Sequence, residues 1–174
     1  PAHYCPMGSR APTPCPPGTN TSAYGLQLLS QCSDCTQGYY CPLEATMFAT
    51  RPCPVGYFCL AGTAQPDQVC PAGTRCPPSI GTIAPDPCPP GTYQDQGSQA
   101  DCEECEPGHY CGEPGGTATP VDCPRGNKCV AGVSAPAACE LGKYQPNMAQ
   151  TSCLNCPDGY YCDKTNGTVT PVEC

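Results

Sequence analysis

The apolar positions of this chain follow no helical period and show one strand-like alternation. Proline and glycine interrupt every stretch before a 3.6-residue repeat can develop. The segment 19–31 is the exception, because Tyr24, Leu26 and Leu28 alternate along it as they would in a β-strand. The pattern therefore predicts little regular secondary structure, one strand in this segment, and short irregular β-hairpins in the loops 92–101 and 143–152.

Leu26, Leu28 and Leu29 also form the one concentrated aliphatic patch of the sequence. Exposed apolar patches usually mark interfaces in a chain that otherwise avoids them. We predict that these three leucines make a contact between modules or between fibres.

Cys-x-x-Gly is the commonest short element, and it predicts a tight turn beside a cross-link. Proline often fixes φ at the first turn position, and glycine accepts a positive φ two residues later. An aromatic residue often precedes the next cysteine, where its ring would cover the neighbouring disulfide. These aromatic residues are Tyr40, Phe58, Tyr110 and Tyr161.

Composition explains why cross-links are needed. The 174 residues include 20 Cys, 25 Pro and 19 Gly, but no Trp and only 18 Leu, Ile, Val and Phe together. So few large apolar groups cannot offset the ordering entropy of the chain. Dense, even-numbered cysteine supplies the stability instead and indicates an oxidising, extracellular compartment. The sequence thus predicts a small disulfide-rich fold, an elongated tandem array of cysteine-rich modules, with all twenty cysteines oxidised.

Net charge and the targeting signals of the sequence indicate which classes of partner are excluded. The net charge of −8 argues against nucleic acid and anionic membranes. Neither a signal peptide nor a transmembrane run is present, so we expect no membrane insertion and read the chain as a mature or internal piece of an exported precursor.

The gaps between cysteines reveal an internal repeat. From Cys88 they are 13, 2, 5, 11, 5 and 9 residues, and from Cys139 they are 13, 2, 5 and 11, ending at Cys174. The first stretch, from Cys15, has the same order with a longer first loop and an extra Cys-x5-Cys unit. If Pro1 followed Cys174, the next gaps would be 4 and 9, close to the 5 and 9 that the repeat requires.

We therefore expect three repeats, the last of which is completed by the start of the next copy. They cover residues 15–87, 88–138, and 139–174 joined to 1–14. The alternative is a single fragment with ragged ends, which would rarely leave two halves that complete each other.

The stretch Cys88–Cys111, CPPGTYQDQGSQADCEECEPGHYC, resembles the ephrin-receptor-like cysteine-rich repeat, which is related in style to tumour-necrosis-factor receptor modules. Tandem arrays of that repeat occur in protist surface proteins and in mastigoneme-type flagellar hairs. The chain departs from the pattern at CELGKY, at PAHYC, which lacks the usual glycine, and in the extra cysteine pair.

The resemblance also implies a disulfide pairing, first with second, third with fifth, and fourth with sixth cysteine in each repeat. The expected bonds are Cys15–Cys32, Cys35–Cys53, Cys88–Cys102, Cys105–Cys123, Cys111–Cys129, Cys139–Cys153 and Cys156–Cys174. Cys162 would then bond to Cys5 of the next copy. The partners of Cys41, Cys59, Cys70 and Cys76 stay open.

Sites for chemistry are scarce, so we expect no enzyme activity and no cofactor. Cys-x-x-Cys occurs three times, but zinc or redox chemistry would need reduced thiols, whereas these lie in a disulfide-like framework. The acidic cluster 101–106 lacks a calcium-loop spacing, so we expect a solvated surface there and no Ca²⁺ site. The sequons at Asn20 and Asn166 predict N-linked glycans.

Tandem disulfide modules contact mainly their neighbours, and a contact that propagates without closing yields a filament. We therefore expect a structural repeating unit of a secreted, glycosylated extracellular filament or surface appendage. Its partners would be copies of itself, head to tail, with lateral protein partners as a further option. The alternative is a receptor-like or adhesive ectodomain that binds a protein ligand.

Overall fold

The computed structural model describes residues 1–77 and 81–174. Within these ranges it contains twenty strands of two residues each and one short 3₁₀ helix, Leu29–Gln31. No helix in the described ranges is both long enough and apolar enough to cross a membrane. The predicted fold class, small and disulfide-rich with little regular secondary structure, is confirmed.

The strands pair consecutively into ten two-stranded sheets within the described ranges. The pairs are β1 (His3–Tyr4) with β2 (Thr13–Pro14), β3 (Thr19–Asn20) with β4 (Ser33–Asp34), β5 (Tyr39–Tyr40) with β6 (Arg51–Pro52), β7 (Tyr57–Phe58) with β8 (Gln68–Val69), β9 (Thr74–Arg75) with β10 (Asp86–Pro87), β11 (Thr92–Tyr93) with β12 (Glu103–Glu104), β13 (His109–Tyr110) with β14 (Val121–Asp122), β15 (Asn127–Lys128) with β16 (Ala137–Ala138), β17 (Lys143–Tyr144) with β18 (Leu154–Asn155), and β19 (Tyr160–Tyr161) with β20 (Val172–Glu173). The hairpins expected in the loops 92–101 and 143–152 are thus present.

One local rule generates nearly every pair. The glycine of Cys-x-x-Gly has a positive φ, for example 87° at Gly91, which lets the chain reverse without a Cβ clash. The two residues after it form a strand, and the two residues before the cysteine that begins the next turn pair with that strand. The Cys105 N–H then donates to the Gly91 carbonyl at 2.9 Å, which fixes the cysteine at the start of the next turn.

The chain closes nine disulfides. Three of them, Cys15–Cys32, Cys88–Cys102 and Cys139–Cys153, span the long first loops and are the bonds that the sequence predicted. The other six close Cys-x5-Cys rings: Cys35–Cys41, Cys53–Cys59, Cys70–Cys76, Cys105–Cys111, Cys123–Cys129 and Cys156–Cys162. Cys5 and Cys174 have no partner and are exposed. Eighteen of the twenty cysteines are therefore bonded within the chain.

The interlocked pairing carried over from receptor modules is wrong. Cys35–Cys53, Cys105–Cys123, Cys111–Cys129 and Cys156–Cys174 do not form, and Cys162 is bonded to Cys156 and is not free to reach Cys5. The reason lies in the turn itself. Its left-handed glycine brings the two cysteines of one ring to Cα separations of 5.8–6.2 Å, within bonding reach without help from the next ring.

The buried apolar residues are mostly these cysteines. In the described ranges only Ala2 and Leu26 are buried with them, so the disulfides form most of the core. Buried polar side chains fill what remains. Gln94 is 4 % exposed, its amide Nε2 donates to the Asp101 carbonyl at 2.9 Å, and Gln145 makes the same contact with Ser152 at 2.8 Å.

The strand expected over 19–31 is wrong beyond Thr19–Asn20. Gly25 has φ 72°, which ends an extended run. The Gln31 side chain then accepts hydrogen bonds from the N–H groups of Gln27, at 2.6 Å, and Leu28, at 2.9 Å. These bonds occupy the donors that a strand partner would need, so the chain turns into the short 3₁₀ helix.

Two compact units are present. One comprises Pro1–Pro71, Arg75–Asp86 and Gly97–Ala100, and the other Ala72–Thr74, Pro87–Gln96 and Asp101–Cys174. These units are defined by contacts between residues, whereas the three repeats are defined by cysteine spacing. The three-repeat division therefore stays a prediction.

Candidate functional site

Within each unit, the glycine of a Cys-x-x-Gly turn packs against the backbone of a loop further along the chain. A Cβ added to Gly18 would lie 2.5 Å from the carbonyl oxygen of Gly62, and one added to Gly38 would lie equally close to that of Gly81. The partner residues share a positive φ, which turns their carbonyls toward the glycine. We call this arrangement the turn-on-loop contact.

Seven turn glycines make the turn-on-loop contact among the described residues, three in the first unit and four in the second. The pairs are Gly18 with Gly62, Gly38 with Gly81, Gly56 with Ser98, Gly73 with Gly116, Gly91 with Gly132, Gly108 with Ala149, and Gly126 with Gly167. All seven turn glycines are buried. Since no side chain fits there, the loop backbone itself acts as the packing surface.

Backbone hydrogen bonds accompany each contact. Around Gly108, its N–H donates to the Cys129 carbonyl at 2.9 Å, and the Cys111 N–H donates to the Val133 carbonyl at 3.0 Å. The opposing loop also donates a hydrogen bond, from the Ala149 N–H to the Cys123 carbonyl at 2.8 Å. A module is thus hydrogen-bonded to the turns that follow it, in addition to its own hairpins.

The last two turns of the chain lack this cover. Gly142 and Gly159 have positive φ values of 78° and 82°, as the other turn glycines do, but no heavy atom lies within 4 Å of a Cβ added to either. Both are exposed. Within the described residues, the N–H groups of Gly159 and Cys162 have no backbone hydrogen-bond partner, although Gly108 and Cys111 have theirs.

The aromatic pair of the last turn is exposed as well. The two residues of the first strand are half-buried in the nine other hairpins of the described ranges, but Tyr160 is 41 % and Tyr161 44 % exposed. Of the four aromatic residues expected to cover disulfides, Tyr40, Phe58 and Tyr110 are half-buried, whereas Tyr161 is open. We call Gly142, Gly159, Tyr160, Tyr161 and Cys174 the turn surface.

Near the beginning of the chain, two loop glycines have the conformation that covers a turn but contact no turn. Gly8 and Gly25 have positive φ values of 85° and 72°, like the loop residues that cover turns, yet both are exposed and nothing lies within 4 Å of an added Cβ. Gly132, the counterpart of Gly8 in the repeat, covers Gly91. We call Cys5, Gly8 and Gly25 the loop surface.

Ala2 explains how PAHYC works without the usual glycine. It has φ 60° and is fully buried, so it takes the left-handed position itself. The Cys15 N–H donates to its carbonyl at 2.9 Å, as the Cys139 N–H does to Gly126 at 2.8 Å. The beginning of the chain therefore has the geometry of the second half of a Cys-x5-Cys turn.

The two unpaired cysteines make the same backbone hydrogen bonds as bonded cysteines at equivalent positions of the repeat. The Cys174 N–H donates to the Gly159 carbonyl at 3.0 Å, which matches Cys123 and Gly108 at 2.8 Å. The Cys5 N–H donates to the Leu26 carbonyl at 2.8 Å, which matches Cys129 and Gln150 at 2.9 Å. Cys123 and Cys129 are bonded to each other. The sequence assigned Cys5 to Cys162 and Cys174 to Cys156, but Cys156 and Cys162 are bonded to each other.

Charged contacts occur on the hairpins near the turn surface. The Lys143 Nζ donates to Glu140 at 2.8 Å and the Lys128 Nζ at 3.0 Å, and these hydrogen bonds lower the pKa of Glu140 to about 2. Further back, the His109 Nε2 lies 3.0 Å from an Asp122 oxygen across its hairpin. Burial, followed by the nearby Glu106 and Glu103 carboxylates, raises the pKa of Tyr93.

The predicted leucine patch is divided. Leu26 is 8 % exposed and belongs to the core, where it packs with Cys15 and Cys32 of its own repeat and with Tyr4, which lies before that repeat. Leu28 and Leu29 are 61 % and 51 % exposed, and their role in a contact stays a prediction.

The two sequons also differ. Asn166 is exposed in the loop that leads to Gly167. Asn20 is half-buried and lies in β3, opposite Ser33. Glycosylation at both asparagines stays a prediction. Among the described residues, no group of three His, Cys, Asp or Glu side chains could hold a metal ion.

A family model described as tyrosine-protein kinase ephrin type A/B receptor-like matches residues 134–174. This segment is therefore an ephrin-receptor-like cysteine-rich module. The stretch Cys88–Cys111, on which the resemblance was first noted, lies outside the match but repeats its cysteine spacing. The comparison with curated proteins finds no match. Together with the nine disulfides, the module indicates an extracellular or surface domain.

Proposed function

We propose that this chain is the repeating unit of a secreted, glycosylated extracellular filament or surface appendage, with a structural role and no catalytic one. The turn-on-loop contact is the observation that supports the proposal. It recurs at sequence separations from 41 residues, between Gly91 and Gly132, to 44 residues, between Gly18 and Gly62. In every copy of this contact the turn glycine has a positive φ, and its N–H donates to a backbone carbonyl further along the chain.

Such a contact favours open assembly. Each of the seven covered turns lies under a loop that comes later in the chain, so the interaction joins two different surfaces and is heterologous. A heterologous contact that does not close propagates into a filament. Repeat proteins are stabilised mainly by contacts between neighbouring modules. A copy whose last turns are open would add the next copy through the interaction that already orders its own interior.

The surface composition suits a solvated extracellular fibre. The chain carries a net charge of −8, and Asn166 is exposed within a sequon. A glycan there would limit lateral association by its bulk.

Electron microscopy of the secreted 174-residue chain, folded in an oxidising buffer, tests the proposal. We expect fibres of uniform width whose length grows with protein concentration. The control is the same preparation after complete reduction and alkylation, which should show none. Monodisperse particles of one chain at every concentration would contradict a filament role.

One observation favours the alternative of a receptor-like or adhesive ectodomain. The loop between Cys41 and Cys53 forms a pocket of about 250 Å³, with Leu43 and Phe48 in its lining. Both side chains are strongly exposed, at 61 % and 60 %. Exposed apolar residues around a small concave site suit a peptide or protein ligand. Monodisperse particles in the experiment above, together with loss of ligand binding in Phe48→Ser, would favour this function.

A further inference from the structure

We propose that the turn surface of one copy docks on the loop surface of a second copy, and that Cys174 forms a disulfide with Cys5 of that second copy. The inference rests on the proposed function and names the joint through which the filament would grow. Three independent features of the described residues lead to it: the frame of the unpaired cysteines, the unpaired backbone donors and the exposed glycines.

The cysteine frame comes from comparing repeats. Cys174 follows Cys162 as Cys123 follows Cys111, after a gap of 11 residues, and Cys5 precedes Cys15 as Cys129 precedes Cys139, after a gap of 9. The hydrogen bonds of the two unpaired cysteines match those of Cys123 and Cys129. Since that pair is bonded, the same geometry places Cys174 beside Cys5 of a copy that continues the repeat.

The backbone donors show where the second copy would lie. Gly108 and Cys111 donate to the carbonyls of Cys129 and Val133. Shifted by one repeat, Gly159 and Cys162 would donate to the carbonyls of Cys5 and Ser9 in the second copy. Both N–H groups lack a backbone partner in the described chain, so docking would satisfy them without breaking an existing bond.

The glycines complete the match. The contact of Gly91 with Gly132 predicts Gly142 against Gly8 of the second copy, and the contact of Gly108 with Ala149 predicts Gly159 against Gly25. All four glycines have the positive φ of their counterparts, and each is exposed with no atom near its Cβ direction. The two open turns therefore correspond to two open loops, in the order that the repeat requires.

Bond formation needs an oxidant, for which a low-molecular-weight disulfide such as oxidised glutathione suffices. The Cys174 thiolate attacks one glutathione sulfur and releases one glutathione thiolate. The Cys5 thiolate of the second copy then attacks the Cys174 sulfur of the mixed disulfide and releases the second. Two protein thiols lose two protons and two electrons, and one glutathione disulfide becomes two glutathione molecules.

Complementary variants test the bond directly. Cys5→Ser keeps only the Cys174 thiol, and Cys174→Ser keeps only that of Cys5. After incubation with oxidised glutathione, we expect each variant alone to remain a monomer and their equimolar mixture to form a dimer on a non-reducing gel. Peptide mapping of the dimer should recover Cys5 linked to Cys174.

Other bonding patterns would overturn the inference. A Cys5–Cys5 dimer from Cys174→Ser alone, or a Cys174–Cys174 dimer from Cys5→Ser alone, would show random oxidation of exposed thiols. A wild-type monomer with Cys5 bonded to Cys174 within one chain would show closure of the molecule on itself. A mixture that yields no dimer would show that the surfaces do not meet.

A glycine variant tests the docking separately from the thiols. Gly159→Asn keeps a residue that tolerates positive φ, and nothing in the isolated chain opposes its side chain. Introduced into the Cys5→Ser chain of the mixture, it should lower the dimer yield at least about tenfold, because its Cβ would clash with the loop backbone of the second copy. Gly115→Asn is the matched control, since Gly115 is exposed and equally free of neighbours. Equal yields for both would refute docking through the turn surface.

The outcomes also separate this inference from the proposed function. Fibres whose Cys5 and Cys174 remain free thiols would overturn the disulfide and leave the filament role intact. Cys5–Cys174 dimers that never extend into fibres, even in the wild-type chain, would contradict the filament role and leave the joint intact.

Discussion

The turns 105–111 and 156–162, CEPGHYC and CPDGYYC, are the same element in two surroundings. Both close a Cys-x5-Cys disulfide, both place a glycine at a φ above 80°, and both are followed by a two-stranded hairpin. Gly108 is buried under the loop of Ala149, however, whereas Gly159 is exposed. The ring therefore forms without its neighbour, but its burial depends on a loop that lies further along the array.

This difference separates covalent from packing stability. A ring with a six-residue sequence separation contributes roughly 2 kcal/mol by restricting the unfolded chain, whatever surrounds it. The turn-on-loop contact adds packing and hydrogen bonds that only an interior turn receives. Changes at interior and terminal turns should therefore differ in cost when they affect packing, and agree when they affect the ring or the hairpin.

The largest expected effect comes from replacing a covered glycine. Gly108→Ala would place a Cβ 2.6 Å from the Ala149 carbonyl at a φ of 86°. We expect a loss of about 2–5 kcal/mol in unfolding free energy, from left-handed strain plus overpacking. Gly159→Ala has the strain alone and should cost about 1–2 kcal/mol.

Guanidinium unfolding of both variants, in a Cys5→Ser/Cys174→Ser background that keeps the chain monomeric, measures the difference. Equal losses for Gly108→Ala and Gly159→Ala would mean that the loop of Ala149 adds nothing to the interior turn.

Removing one ring should cost somewhat less and reveals the pairing. Cys105→Ser/Cys111→Ser deletes one local disulfide, so we expect a loss of roughly 2 kcal/mol and no newly reactive thiol besides Cys5 and Cys174. Alkylation of the unfolded, unreduced protein counts the thiols. The interlocked pairing would instead release Cys123 and Cys129, giving four reactive thiols where local pairing gives two.

A smaller loss of unfolding free energy should be the same in the two hairpins that contain Gln94 and Gln145. Gln94→Ala and Gln145→Ala each remove a buried amide whose hydrogen bonds stay within one hairpin, to Asp101 and Ser152. Each should cost about 1–3 kcal/mol, because each variant loses the hydrogen bonds of a buried amide. Gln99→Ala is the control, since its amide donates only to Gly97 in an exposed contact. Unequal costs for the two buried glutamines would show that hairpin stability also depends on the neighbouring module.

The smallest effect is electrostatic and local to the open end. Hydrogen bonds from Lys143 and then Lys128 lower the pKa of Glu140 from 4.5 to about 2. The ionised carboxylate therefore stabilises the folded state above pH 4.5, and this stabilisation is lost as the pH falls through about 2. Because Glu140 is exposed, the difference between wild type and Glu140→Gln should be small and should shrink in high salt.

NMR titration of the Glu140 carboxyl checks this expectation. Lys143→Met should raise its pKa toward the ordinary value more than Lys128→Met does, because the Lys143 hydrogen bond is the larger cause. A pKa unchanged in both variants would contradict the contact.

The sequence predicted the local elements well because cysteine, glycine and proline act over a few residues. The turns and the hairpins at 92–101 and 143–152 follow from such short-range rules, and the three long-loop disulfides follow from the family resemblance. The remaining disulfides did not, because the pairing of related receptor modules was carried onto turns whose glycines favour local closure. At Gly25 and Gln31, one left-handed residue and one side-chain amide overrode an alternating pattern.

The candidate site could be predicted only in part. The missing gaps predicted Cys5 as a link between copies, but Cys162, the partner assigned to it, is bonded to Cys156. The turn-on-loop contact joins residues about 40 positions apart through backbone atoms alone, so no side-chain pattern announces it. The sequence therefore could not show which turn glycines are covered by a loop and which are open.

Amide hydrogen exchange at Gly159 and Cys162 tests the central claim most directly. It compares the monomeric Cys5→Ser/Cys174→Ser chain with wild-type protein assembled under oxidising conditions. We expect both amides to exchange quickly in the monomer and to slow in the assembly to the rates of Gly108 and Cys111, whose N–H groups are bonded in every chain. Amides of Gly159 and Cys162 that exchange as quickly in the assembly as in the monomer would contradict the account.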